Sequence, residues 1–222
     1  MSRYFVQNKL VSLTADSINI APPADLEEAR MRVLFVGISG GQIFLGDKFQ
    51  EASPEVLDLV RRVLPPWGRV AVPVDLFAGP TPEIFRLQTP LNDVYSFFNF
   101  GEERPMTLRL PDDREYDVWN FFEERYEGRA KKAFTFKMPR VSARVFALTP
   151  VASEPRVIGS SFHFTCGASE LSGQSYADGI LKGKLTRPAG DRGRLFVMDG
   201  KGELHTLELT GTGAPLDWEL RG

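Results

Sequence analysis

The sequence has a single cysteine, Cys166, only two histidines, and no excess of basic residues. One cysteine cannot form a disulfide within the chain, which fits a reducing compartment. Lys and Arg together number 27 against 29 Asp and Glu, so the formal net charge is −2 at pH 7. A nucleic-acid-binding surface needs clustered basic residues, and we therefore expect no nucleic-acid partner.

Long hydrophobic runs are also missing. No stretch approaches the roughly 18 apolar residues of a membrane span, and the first residues, MSRYFVQNKLV, lack the apolar core of a signal peptide. We expect no membrane partner, and a cytoplasmic location is only the default because the sequence carries no localisation signal. With 42% hydrophobic and 25% charged residues, the composition is that of an ordinary globular protein.

The clearest pattern runs from Leu91 to Val151. Short aromatic or aliphatic runs such as VYSFFNF, YDVWNFF and AFTFKM alternate there with turn clusters such as GEERP and PDDRE. Strand-length runs at this spacing predict an antiparallel β-sandwich over residues 90–151. Further strand-length segments follow, with turns at AGDRG, DGKG and GTGAP, and predict a second β-rich module or a sandwich extension over residues 152–222.

Residues 1–89 have a different pattern. After short extended segments, Leu26, Ala29, Val33 and Val36 recur at helical spacing and predict a helix that stops at Gly37. A short buried strand is expected from Gln42 to Leu45, and then Ser53 and Pro54 predict the start of a second helix that runs towards Pro65. Strand, helix, strand, helix is typical of α/β structure. The predicted fold class is therefore α+β, mostly β, with a partial (β/α)-barrel remnant and a connector ahead of the sandwich.

Several motifs in this order, ISGGQIFLGDKF, SPEVLDLVRRVLPP, VYSFFNFGEE, YDVWNFFEERYEGR and VSARVFALTPV, resemble the C-terminal part of the alpha-galactosidase (melibiase-like) glycoside hydrolases. The later SSFHFTCG is similar to an extension that follows the sandwich in some members. The resemblance implies the end of a catalytic barrel followed by an antiparallel β-sandwich, and a carbohydrate-related role. It also implies that the nucleophile region lies outside this chain.

Two carboxylates could belong to a sugar site. The resemblance aligns the family's acid/base turn with Leu13 to Asp16, so Asp16 is a candidate acid/base remnant, although three of the four positions depart from the motif. Asp47 follows the predicted strand at the active-site mouth of a barrel and is a candidate substrate ligand. Alternatively, each aspartate satisfies nearby backbone N–H groups in its loop.

Trp119 is a candidate for stacking on a sugar ring, but it shares one strand face with Phe121, so burial in the core is the favoured alternative. His163 and His205 are far apart and show no carboxylate or cysteine partner at metal-ligand spacing, so we expect no metal site and no cofactor. We expect Cys166 to be a small buried residue rather than a nucleophile.

We therefore expect a carbohydrate-related C-terminal fragment of an alpha-galactosidase-like hydrolase that is not catalytic alone. Whether the chain is itself an enzyme stays open, because retaining hydrolysis needs two carboxylates. The alternative is a free-standing β-sandwich module that binds carbohydrate or a protein partner. An incomplete barrel edge would also favour self-association.

Overall fold

The computed structural model describes residues 4–7, 9–10, 17–22 and 24–221, apart from the side chains of residues 5 and 49. Two α-helices, α1 (Leu26–Ser39) and α2 (Pro54–Arg61), precede a series of antiparallel sheets, which confirms the α+β, mostly β class. The strands are β1 (Ser17–Ile18), β2 (Phe44–Leu45), β3 (Val72–Pro73), β4 (Ile84–Gln88), β5 (Asp93–Asn99), β6 (Arg104–Arg109), β7 (Glu115–Asn120), β8 (Arg125–Lys131), β9 (Ala133–Met138), β10 (Ser142–Pro150), β11 (Arg156–Ser160), β12 (Leu171–Ala177), β13 (Ile180–Leu185), β14 (Arg192–Met198), β15 (Leu204–Thr210) and β16 (Leu216–Arg221). In the described part of the chain, no helix is long and apolar enough to cross a membrane.

Helix α1 begins as its sequence predicts but ends later. The side chain of Asp25 caps it by accepting the N–H of Glu28 at 2.8 Å. The expected stop at Gly37 is wrong, because the helix continues to Ser39 and ends at Gly40, whose φ of 63° is the left-handed conformation of a helix C-terminus. Gly37 is instead buried inside the helix.

Helix α2 confirms the predicted start. Ser53 is the N-cap and accepts the N–H of Val56, and Pro54 occupies the first helical position. Val56, Leu59 and Val60 form the buried face. The regular helix ends at Arg61, earlier than the predicted approach to Pro65.

Strands β1 and β2 form a parallel pair joined by α1, and they have no other strand neighbours among the described residues. This strand–helix–strand unit matches the predicted α/β order. The expectation of a buried second strand is wrong, since Phe44 and Leu45 are 49% and 45% exposed. Ile18, on β1, is buried against the helix.

Strands β3 to β10 form one antiparallel sheet in the order β3-β4-β5-β10-β7-β8-β9-β6. Strands β8 and β9 share only the pair Lys131 and Ala133, and Lys132 between them has a φ of 67°. The sheet folds back at this point, so β6 and β9 lie over the β5, β10 and β7 strands and enclose an aromatic core that includes Phe97, Phe136 and Phe146.

The opposite face of the same sheet carries a second core. Helix α1 packs on β10, and the core continues into β11 and β14 through Ile158 and Phe196. The predicted domain divisions stay predictions. The one after residue 89 falls between β4 and β5, which pair along five residues.

The third segment is a small sandwich of two three-stranded sheets, β11-β14-β15 and β12-β13-β16, around a core that includes Phe162, Leu185 and Trp218. The DGKG hairpin prediction is confirmed, because this turn joins β14 to β15.

Candidate functional site

The two candidate carboxylates are placed differently by the structure. Asp16 lies outside the described residues. Asp47 follows β2, and its Oδ2 accepts the backbone N–H groups of Ile20 at 2.5 Å and Ala21 at 3.0 Å. The carboxylate thereby ties the end of β2 to the residues after β1. Binding of backbone N–H groups is the alternative role that the sequence allowed for Asp47. A sugar contact by Asp47 stays a prediction.

Trp119 is buried between the large sheet and the third segment. Its indole is 1% exposed and stacks on Phe196, with the ring centroids 4.0 Å apart. Gly159 on β11 lies against the same ring, so closely that a Cβ there would collide with the indole. The packing corresponds to the core alternative, while a sugar contact would require the ring to be uncovered and stays a prediction.

A cleft with a volume of about 1270 Å³ lies between α2, Pro65, Pro66 and the connection from β13 to β14. Its walls are mainly apolar. The guanidinium of Arg187 is almost fully buried beside it and donates to Asp191 at 2.6 Å and to the carbonyl of Leu64 at 2.8 Å. Arg61 donates to the other oxygen of Asp191 at 3.0 Å, so this carboxylate bridges two guanidinium groups beside the cleft.

The ion pairs continue along α2 to the large sheet. Asp58 accepts from Arg62 at 2.6 Å, Arg62 donates to Glu124 at 2.8 Å, and Arg194 on β14 reaches the second oxygen of Glu124 at 2.5 Å. Burial acts to raise the pKa of Asp58, but the neighbouring guanidinium groups of Arg62 and Arg61 hold it below its ordinary value. This network joins α2 to the β7–β8 turn and the third segment.

The segment SSFHFTCGASE lies beneath the cleft and is almost entirely buried. His163 is held between Thr165 Oγ1 at 2.8 Å and the carbonyl of Pro65 at 3.1 Å, and burial, helped by Arg187, lowers its pKa to about 3. Burial also raises the pKa of Cys166, so its thiol stays protonated and unreactive at neutral pH.

Glu170 is the only acidic residue of that segment, and its carboxyl group is incompletely hydrogen-bonded. One carboxyl oxygen is hydrogen-bonded to the hydroxyl of Ser160, and the other, Oε2, has no protein partner. Burial raises the pKa of Glu170 to about 7, although the bond from Ser160 opposes the shift. A buried acid of this kind bears on stability, because its pKa differs between the folded and the unfolded chain.

The hairpin between β14 and β15 brings together Asp199, Glu203 and His205, whose side-chain ligand atoms lie within 4.8 Å of one another. The sequence reasoning missed this group, because it treated His205 as lacking carboxylate partners. The signal was the DGKGELH motif, in which a tight turn brings Asp199 next to residues on the following strand.

None of the known family models matches the chain, and no curated protein matches it. Among solved structures, alpha-galactosidase I from Mortierella vinacea is similar, with 14% identity, a TM-score of 0.48, and coverage of 62% of this chain and 39% of that one. A putative alpha-N-acetylgalactosaminidase from Bacillus halodurans has 10% identity and a TM-score of 0.49, covering 58% and 33%. The isomalto-dextranase of Arthrobacter globiformis T6 has 15% identity and a TM-score of 0.45, covering 91% and 44%.

This chain thus spans less than half the length of each of these three proteins. Because all three TM-scores lie below 0.5, we infer neither activity nor substrate from the similarities.

Proposed function

We propose that this chain is the closing part of a carbohydrate-active (β/α)-barrel protein, in which β1, α1 and β2 belong to the barrel layer and the β-sandwiches support it. The chain on its own is not catalytic. The carbohydrate class is suggested by the motifs ISGGQIFLGDKF to VSARVFALTPV, which resemble those of alpha-galactosidase-like hydrolases.

The observation that carries the proposal is the isolated parallel pair of β1 and β2. Parallel strands occur almost only in sheets that are covered and flanked by further strands, whereas this sheet has two strands of two residues each in the described chain. Within the described residues, both outer edges therefore leave backbone N–H and C=O groups open to pairing.

The distribution of exposed apolar side chains supports the same conclusion. Among the described residues, eight of the eleven large exposed hydrophobic side chains precede residue 78, and Phe77 is 97% exposed. Exposed apolar side chains in the segment that we assign to the barrel layer agree with a surface that another element covers. Phe44 and Leu45, on the open strand, belong to this group.

The lack of catalysis follows from the carboxylates. Hydrolysis of a glycosidic bond by the retaining route needs two carboxyl groups about 5–5.5 Å apart. Asp47 is held by the N–H groups of Ile20 and Ala21, and the other candidate acid, Asp16, lies outside the described residues. We therefore propose no catalytic pair in this chain.

Assays of the purified chain against aryl galactosides and aryl glucosides test this part of the proposal. We expect no turnover above that of buffer. Turnover that disappears in Asp47→Asn or Asp16→Asn would show a complete active site and contradict the proposal. The control is Asp75→Asn, whose side chain accepts the backbone N–H groups of Glu83 and Ile84. This variant should give the same result as the parent in the same assays.

From the open strand edges we make a further prediction about the gene. The DNA upstream of the codon for Met1 should encode additional strand–helix units in the same reading frame. A stop codon and a promoter directly upstream would instead favour a free-standing β-sandwich module.

A further inference from the structure

The turn between β14 and β15 holds a set of potential metal ligands of mixed chemistry. Asp199 and Glu203 offer carboxylate oxygens and His205 offers an imidazole nitrogen, and the three ligand atoms lie within 4.8 Å of one another. The turn joins strands of a different sheet from the β1–β2 pair on which the proposed function depends.

Backbone groups of the turn fix the orientation of Asp199. Its Oδ1 accepts the N–H groups of Lys201 and Glu203, each at 2.8 Å. The turn itself is closed by the N–H of Asp199 donating to the carbonyl of Glu203 at 3.0 Å. Because Oδ1 is occupied, Oδ2 is the oxygen that faces His205. Partners that hold a carboxylate in this way also orient metal-binding carboxylates.

The spacing of Asp199 and His205 is close to that of two tetrahedral ligands. Nε2 of His205 lies 3.1 Å from Oδ2 of Asp199. Zinc bonds to nitrogen and oxygen are about 2.0–2.2 Å long, which places neighbouring tetrahedral ligands about 3.3–3.6 Å apart. Glu203 and His205 are two residues apart along the chain, so their side chains extend to the same side of the hairpin.

The surroundings permit a cation to enter. The side chain of Asp199 is 10% exposed and that of His205 is 36% exposed, so the site is anchored but still open to solvent. Lys201 lies within the turn itself, and a second nearby positive charge is Arg129, because its Nη2 would lie 3.3 Å from a Cβ at Gly202. Its guanidinium is paired with Asp117 at 3.4 Å and Glu115 at 3.8 Å, which offsets its charge.

We propose that Asp199, Glu203 and His205 bind one divalent transition-metal ion of the zinc class, with a water molecule at the fourth position. Imidazole together with carboxylate favours zinc and its neighbours over calcium or magnesium, which prefer all-oxygen sites. The ion replaces the proton on Nε2 of His205 and links the end of β14 to the start of β15.

Calorimetric titration of ZnCl₂ into the EDTA-treated full chain tests the proposal. We expect one ion per chain and a higher unfolding temperature with zinc, since an ion that binds the folded state stabilises it. His205→Ala and Glu203→Gln should each weaken binding by at least about tenfold, the loss that removal of even an outer-shell partner produces. Glu208→Gln, at an exposed carboxylate farther along β15, is the matched control and should bind zinc as the parent does.

A second readout identifies the ligand directly. The chain has two histidines, and His163 is fully buried, so zinc should shift the imidazole nitrogen NMR signals of His205 and leave those of His163 unchanged. Binding that is equally tight in His205→Ala would overturn the proposal. So would His205 signals that do not move at saturating zinc, which would leave only the Asp199–His205 hydrogen bond.

Discussion

Trp119 shows how one side chain links two parts of this molecule. It belongs to β7 of the large sheet, yet its ring stacks on Phe196 of the third segment and lies over Gly159 of β11. The sequence could predict its burial from the spacing to Phe121. The partners could not be predicted, since they lie 40 and 77 residues farther along the chain and nothing local indicates the contact.

We predict that Trp119→Ala lowers the free energy of unfolding by about 3–5 kcal/mol, as truncation of a buried aromatic side chain does. Denaturant unfolding measures the change, and Phe77→Ala, at a 97% exposed position, should stay within about 0.5 kcal/mol of the parent. An unchanged unfolding midpoint in Trp119→Ala, together with lost sugar binding, would support the stacking role instead.

Glu170 makes stability depend on pH. Its pKa is about 7 in the folded protein against an ordinary value of 4.5, so the folded chain holds a proton that the unfolded chain has lost between these values. The free energy of unfolding therefore falls as the pH rises from about 4.5 to 7. His163 acts in the opposite sense, because its lowered pKa makes stability fall as the pH drops below about 6.5.

We predict that Glu170→Gln removes the first of these slopes. As the pH rises from 4.5 to 7, the free energy of unfolding of the variant should increase by about 3 kcal/mol relative to that of the parent, since each pKa unit corresponds to about 1.4 kcal/mol. Urea unfolding at several pH values gives this difference. The control is exposed Glu208→Gln, whose free energy of unfolding should differ from that of the parent by the same amount at every pH. If the free-energy difference between Glu170→Gln and the parent does not vary with pH, the pKa of Glu170 is the same in the folded and unfolded chain, which contradicts the prediction.

At the scale of the elements, helices α1 and α2 show which signals the sequence carries. The Ser53–Pro54 start of α2 is readable because the capping residue and the proline are neighbours in sequence. The end of α1 cannot be predicted from the sequence, because Gly37 and Gly40 differ only in their surroundings in the folded chain. A Cβ at Gly37 would lie 3.0 Å from Val63 and 3.2 Å from Phe164, so close packing, rather than a helix end, explains that glycine.

Gly40 should tolerate no side chain. A Cβ there would lie 2.6 Å from the backbone carbonyl of Arg69, in addition to the cost of a left-handed conformation. Gly68 has a similar φ of 72° but open space around it. We therefore predict that Gly68→Ala costs about 1–2 kcal/mol, the cost of the backbone conformation alone, and that Gly40→Ala costs more. Thermal unfolding compares the two, and equal losses would mean that the segment at Arg69 moves aside.

At the scale of the whole molecule, the three segments that the sequence separates all contribute to one of the three hydrophobic cores. Helix α1, the large sheet and strands β11 and β14 all contribute to it, and the ion pairs from Asp58 to Arg194 join the same parts at the surface. Composition and periodicity predicted the β-rich class and the strand–helix–strand unit. They could not show the exposure of β2, because an apolar strand looks the same whether or not its neighbours are present.

Sedimentation equilibrium over a range of concentrations tests most directly whether the β1–β2 pair is an open edge. We predict that the average mass of the parent rises with concentration, because the exposed strand pairs with another copy. Phe44→Lys should remain a monomer with an unchanged unfolding midpoint, whereas Leu204→Lys, at an exposed apolar position in the third segment, should still associate. A parent that stays monomeric at every concentration, with slowly exchanging amides at Phe44 and Leu45, would show that the strand is already paired and that no barrel layer is incomplete.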